Sequence, residues 1–93
     1  MAKIIIPTPL RKFTNNESTF ETTGATVNEA VAELVGTHTN LEKHLLDDDK
    51  NVRSFIRVYL GEEDVNLLKE KGDTEVAAND IISIVPAIAG GSQ

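Results

Sequence analysis

The sequence predicts an α+β fold in which a mixed sheet of about five strands wraps one main helix. Three observations carry that prediction. Short β-branched runs stand near both ends and in the middle of the chain, a single capped amphipathic segment lies between them, and turn-forming clusters separate the pieces. Length agrees, because 93 residues make one small domain with no room for a deep cleft between two. Hydrophobic residues are 40% of the chain but include only three Phe, one Tyr and no Trp, so the core must be built from Ile, Val, Leu and Ala.

Each element follows from local chemistry. Lys3-Ile4-Ile5-Ile6 is a strand stopped by Pro7, and the polar Thr14–Ser18 stretch turns the chain into a second strand near Thr19–Thr22, giving a hairpin. Thr26 and Glu29 have the spacing of a capping box, with Glu29 expected to reach back to Thr26. Val27, Ala30, Val31 and Leu34 then recur at helical spacing, and Gly36 is placed to stop the helix. Leu41, Leu45 and Leu46 predict a further short helical turn. Ser54–Leu60 alternates as a strand, Gly61-Glu62-Glu63-Asp64 turns, Val65 and Leu67-Leu68 continue in short pieces, and Lys71-Gly72-Asp73 turns again. The closing strand, Ile81–Val85, ends at Pro86, which lacks the amide needed to extend a ladder. A sheet wrapped over a helix in this order is a β-grasp architecture. Residues 1–86 are expected to form the domain and residues 87–93 a flexible C-terminal tail.

Composition excludes several kinds of chemistry. There is no cysteine, hence no disulfide, thiolate nucleophile or Cys-based metal site. A net charge of −6 disfavours nucleic acid and favours a basic protein partner, which Glu62, Glu63 and Asp64 would steer. Asp47-Asp48-Asp49 lacks the alternating ligands and closing Glu of a calcium loop and reads as a solvated turn. His38 and His44 do not share a helical face and are expected at the surface, so no metal is predicted. The apolar start is too short for a signal peptide or a membrane span, which points to a cytoplasmic protein.

The end of the chain, Pro86-Ala87-Ile88-Ala89-Gly90-Gly91-Ser92-Gln93, sets a slender segment directly after an apolar strand. Glycines without Cβ atoms let backbone lie in a channel too narrow for side chains. With Ile6-Pro7-Thr8-Pro9-Leu10-Arg11, Phe55–Val65 and Asn79–Gly91, this ending resembles the ubiquitin-like sulfur carriers of the ThiS, MoaD and CysO kinds, most of all the CysO type that serves cysteine biosynthesis. The resemblance implies a carrier cycle. A ubiquitin-activating-type enzyme adenylates the Gly91 carboxylate with ATP, a sulfide source replaces AMP to leave a thiocarboxylate, and a sulfur-accepting enzyme such as a cysteine-synthase-like protein takes the sulfur. Ala89 and Gly90 form the thread that presents Gly91. Because Ser92 follows, the carbonyl of Gly91 is a peptide amide and must be freed first; resemblance to carriers and ubiquitin-like modifiers made as precursors implies that a zinc-dependent peptidase cuts between Gly91 and Ser92. The chain itself has no ATP cradle and binds no cofactor.

Alternation also proposes a docking face. If Ile4, Ile6, Ile56, Val58, Leu60, Ile82 and Ile84 meet the helix, then Ile5, Phe55, Tyr59 and Val85 fall on the opposite face with Arg57 among them. Two other fates use the same ending or none of it: a ubiquitin-like modifier conjugated through Gly91, and a non-covalent binding module. Molybdopterin, thiamine or another sulfur-containing metabolite are the other destinations open to a carrier. An enzyme is disfavoured, since no nucleophile stands with a base.

Overall fold

The computed structural model describes residues 1–49 and 51–86. In chain order they form β1 (Ala2–Ile5), β2 (Thr19–Thr22), α1 (Val27–Thr37), α2 (Thr39–Leu45), β3 (Ile56–Leu60), β4 (Glu63–Asp64) and β5 (Ile81–Pro86). Three short 3-10 segments, Thr8–Phe13, Val65–Leu67 and Lys71–Asp73, fill the connections. The strand order is β2-β1-β5-β3-β4. β1 and β5 run parallel and every other pair is antiparallel. A parallel pair needs a long crossover, and here the whole middle of the chain supplies it. The expected β-grasp arrangement is thus the one observed, and the expected 87–93 tail lies outside the described residues.

The helix-facing side of the sheet is as alternation predicts. Ile4, Ile56, Val58, Ile82 and Ile84 are buried there, against Val27, Ala30, Val31 and Leu34 of α1 and Leu41 and Leu45 of α2. Burying so many branched aliphatic side chains, at about 1.5–3 kcal/mol each, is what offsets the ordering entropy of a chain this small.

Several local expectations change. Thr26 Oγ1 accepts the Glu29 N–H at 3.1 Å as predicted, but Glu29 Oε1 accepts from the Ala25 N–H at 3.0 Å, one residue before the expected return contact. Gly36 does not stop α1, which continues to Thr37. The break comes at His38, whose N–H donates to Leu34 O and whose carbonyl accepts from Leu41 N, so α1 hands over directly to α2. Gly36 lacks the positive φ that a helix stop uses; Gly61, at φ 63, has it in the turn after β3. That turn is shorter than expected, since Glu63 and Asp64 already pair with Leu60 and Tyr59 as β4.

Both strands that lead to the chain end also differ from expectation. Ser54 and Phe55 belong to a turn closed by Ile56 N donating to Arg53 O at 2.9 Å, so β3 starts at Ile56. Pro86 is inside the ladder, opposite Ile56. Antiparallel pairs alternate between bonded and non-bonded, and Gly61 N donating to Ile81 O fixes the odd-numbered positions as the bonded ones. The Ile56–Pro86 pair is therefore a non-bonded one, where a missing amide costs nothing.

The outer hairpin is tied to α1 by one carboxylate. Glu33 Oε1 accepts from Thr22 Oγ1 at 2.6 Å and from the Thr23 N–H at 2.8 Å. These bonds hold the Glu33 carboxyl below its usual pKa, the Thr22 hydroxyl contributing most and the Thr23 amide next.

Candidate functional site

β5 is the last strand in chain order but the central one in the sheet, flanked by β1 and β3, and Pro86 is its final residue. The chemistry-bearing residues expected from sequence, Ala89, Gly90, Gly91 and Ser92, lie outside the described residues. What the structure describes is the platform from which they depart.

The outer face of that platform shows two large apolar side chains well exposed, Ile81 at 39% and Val85 at 43%, and Phe55, in the turn just before β3, is 44% exposed. Ile5 and Tyr59 share this face but are half-buried. Register explains the grouping. Arg57 pairs with Val85, Tyr59 with Ser83 and Ile5 with Ser83 on the other flank of β5, so their side chains stand on one surface. Phe55 lies in the turn before β3, next to the Ile56–Pro86 pair, so strand alternation does not assign it to this face. Ile81 is missing from the sequence-based set, although the alternation that buries Ile82 and Ile84 also assigns it to this face.

Asp64 is the other residue that the sequence misplaces. Read as part of a solvated acidic turn, it is buried, and its Oδ2 accepts from Arg57 Nη1 at 3.1 Å. Its Oδ1 accepts the Asn66 N–H at 2.9 Å and so caps the 3-10 turn that follows. A group committed to both contacts does not steer a distant partner.

The histidines are half-buried rather than fully at the surface. His44 stacks on Phe13 with ring centroids 4.1 Å apart, and His38 meets Phe20 edge-on at 5.9 Å and Glu17 Oε1 at 3.9 Å. Burial, then the cations Lys43, Lys12 and Arg53, push the His44 pKa down. These are ring contacts and one carboxylate, a different arrangement from the nucleophile and base of a hydrolase. The aspartate run does form a turn, with Asp47 Oδ1 accepting from Asp49 N at 2.9 Å and Asn51 N at 3.0 Å. Among the described residues no group of three or more His, Cys, Asp or Glu is placed to hold a metal ion, and no helix is long and apolar enough to cross a membrane.

A five-stranded β-grasp sheet over a helix, with its central strand delivering the chain end beside an exposed apolar face, defines a ubiquitin-like domain. Comparison with known proteins narrows the class. The chain belongs to the ThiS family, whose model matches residues 4–91. The sulfur carrier protein CysO of Mycobacterium tuberculosis is 28% identical over 90 residues, which cover 95% of this chain and 96% of the relative. The structure of CysO in the Amycolatopsis orientalis BexX/CysO complex superposes with a TM-score of 0.86 at 34% identity, over 98% of this chain and 100% of that one. The small archaeal modifier protein 1 of Methanosarcina acetivorans shares the fold, with a TM-score of 0.84 at 20% identity over 97% and 95% of the two chains.

Proposed function

We propose that this chain is a cytoplasmic sulfur carrier, and that its reactive group is the carboxylate of Gly91. The observation that carries the reading is the family match, which runs from the first strand to Gly91 and leaves Ser92 and Gln93 beyond it. A carboxylate resists nucleophiles because of its charge. Attack of a carboxylate oxygen on the α-phosphorus of ATP releases pyrophosphate and leaves an acyl-adenylate; sulfide then adds to the carbonyl carbon, and AMP departs to leave the thiocarboxylate. The enzymes that do this belong to other chains. They are an adenylating enzyme of the ubiquitin-activating type and a sulfur-accepting enzyme, cysteine-synthase-like if the destination is cysteine. Support for such docking comes from the CysO relative that was crystallised in a complex with BexX.

The domain's part in this cycle is positional. Val85, with Phe55 just before Ile56, gives a partner apolar surface near Pro86, Ile81 extends it toward the start of β5, and the packed core keeps that surface in register while Gly91 is held elsewhere. Ser92 and Gln93 are removed first, by a peptidase of the zinc-dependent kind, since a peptide carbonyl has no free acid to adenylate. Intact mass after incubation with adenylating enzyme, ATP and sulfide tests both steps. The form ending at Gly91 should gain the mass of sulfur exchanged for oxygen, and the chain ending at Gln93 should stay unchanged. The same gain on the longer chain would refute trimming, and no gain on either would refute the carrier reading.

A further inference from the structure

The docking face carries a cation as well as apolar groups. Arg57 stands across the ladder from Val85, its side chain 52% exposed, while that of its partner Asp64 is 9% exposed. The contact between them is a single bond from Nη1. Asp64 divides its acceptors between Arg57 and the Asn66 amide. Among the described residues Arg57 makes no other side-chain hydrogen bond, which leaves most of the five guanidinium N–H groups without an acceptor there, on a half-exposed side chain across from the exposed Val85.

Chain length makes that spot hard for a partner to avoid. Gly91 is five residues beyond Pro86, so fully extended chain gives a leash of about 17 Å. A protein that closes over Gly91 therefore brings its surface close to the end of β5, where Val85 and Arg57 are neighbours. Docking strips water from the guanidinium, and donors left without acceptors there would weaken the complex. A carboxylate suits the planar donor fork better than any neutral acceptor.

We propose that the partner meets Arg57 with an aspartate or glutamate set in an apolar rim, and that this pairing selects which protein surface the carrier accepts. The net charge of −6 points instead to a basic partner. Screening decides between the two: at physiological ionic strength fields fade over about 8 Å, so the pair in contact outweighs the charge of the distant surface. The inference rests on the carrier reading and names the chemistry of its docking partner.

The test is the rate of pyrophosphate release by the cognate adenylating enzyme with the chain ending at Gly91 as varied substrate. Arg57→Gln should raise KM about tenfold or more and Arg57→Glu about tenfold beyond that, with kcat at saturation little changed. Arg57→Lys should recover part of the loss, and the salt dependence of kcat/KM should flatten in Arg57→Gln. Asp64→Asn, which retains an acceptor for the Asn66 amide, should stay near wild type. Selection for partner variants that restore Arg57→Glu should return Asp→Lys or Glu→Lys changes. Equal KM for the Gln and Glu variants, or an Asp64→Asn loss as large as that of Arg57→Gln, would overturn the proposal by making Arg57 a support for the fold. Thermal midpoints of all variants identify any that fail to fold, and the uncharged Gln variant then carries the comparison with Lys. If wild type is turned over and Arg57→Glu matches it, this inference alone fails; if wild type is never adenylated, the carrier reading fails and takes the inference with it.

Discussion

Replacing Phe55 by Ser separates docking from folding, because the side chain is divided between the two. A Phe side chain offers about 200 Å², and the 44% left exposed is about 90 Å² available to a partner. At about 25 cal/mol per Å² that surface contributes up to about 2.2 kcal/mol, a ceiling of about 40-fold in affinity. The remaining 110 Å² or so already packs on the domain, so the same change costs up to about 2.8 kcal/mol of stability. A domain of 93 residues has about 5–14 kcal/mol in hand, which leaves no more than a few per cent unfolded even at the low end. Unfolding therefore changes the concentration of competent carrier by a negligible factor. Adenylation kinetics on the form ending at Gly91 should show a KM raised by between about tenfold and 40-fold, with kcat retained. A KM equal to wild type, with far-UV circular dichroism unchanged, would remove Phe55 from the contact and break the argument from exposure.

Two further predictions concern how the platform is held. Thr26→Ala removes the acceptor for the Glu29 amide at the start of α1 and should lower unfolding free energy by about 1 kcal/mol in a denaturant titration, with the slope unchanged. Glu33 gives a pH signature. Its pKa is lowered in the fold, so the stability it contributes is fully present above the ordinary value of 4.5 and is lost as pH falls through the lower, folded value. Glu33→Gln should be less stable than wild type at neutral pH and should show a flatter acid limb when thermal midpoints are followed downward from pH 5; identical slopes would remove the Thr22–Glu33 clamp from the account.

What the sequence makes legible is whatever depends on a period or on covalent order. The inward set Ile4, Ile56, Val58, Ile82 and Ile84 follows from a spacing of two on strands, and the α1 stripe from a spacing of three and four, so both are recovered residue by residue. What fails is whatever depends on a neighbour chosen by register. Asp64 looks like turn acid until two residues of β4 place it beside Tyr59, within reach of Arg57. Pro86 looks like a terminator until the position of Ile56 shows that the pair exchanges no bond. Gly36 looks like a stop until His38 supplies both an N–H and a carbonyl to the two helices it joins.

The same distinction divides the functional site. Gly91 is proposed from its place along the chain, and the need for trimming from the amide that Ser92 imposes on it, neither of which needs coordinates. The proposed docking face is different, because Arg57, Ile81 and Val85 are brought to one surface by a ladder and an ion pair that no single stretch of sequence contains. A carrier whose reactive group is a bare carboxylate has little at that atom to distinguish one partner from another. Discrimination must then reside in the folded surface within the reach of the leash, and Arg57 is the charged group that this surface places beside Val85.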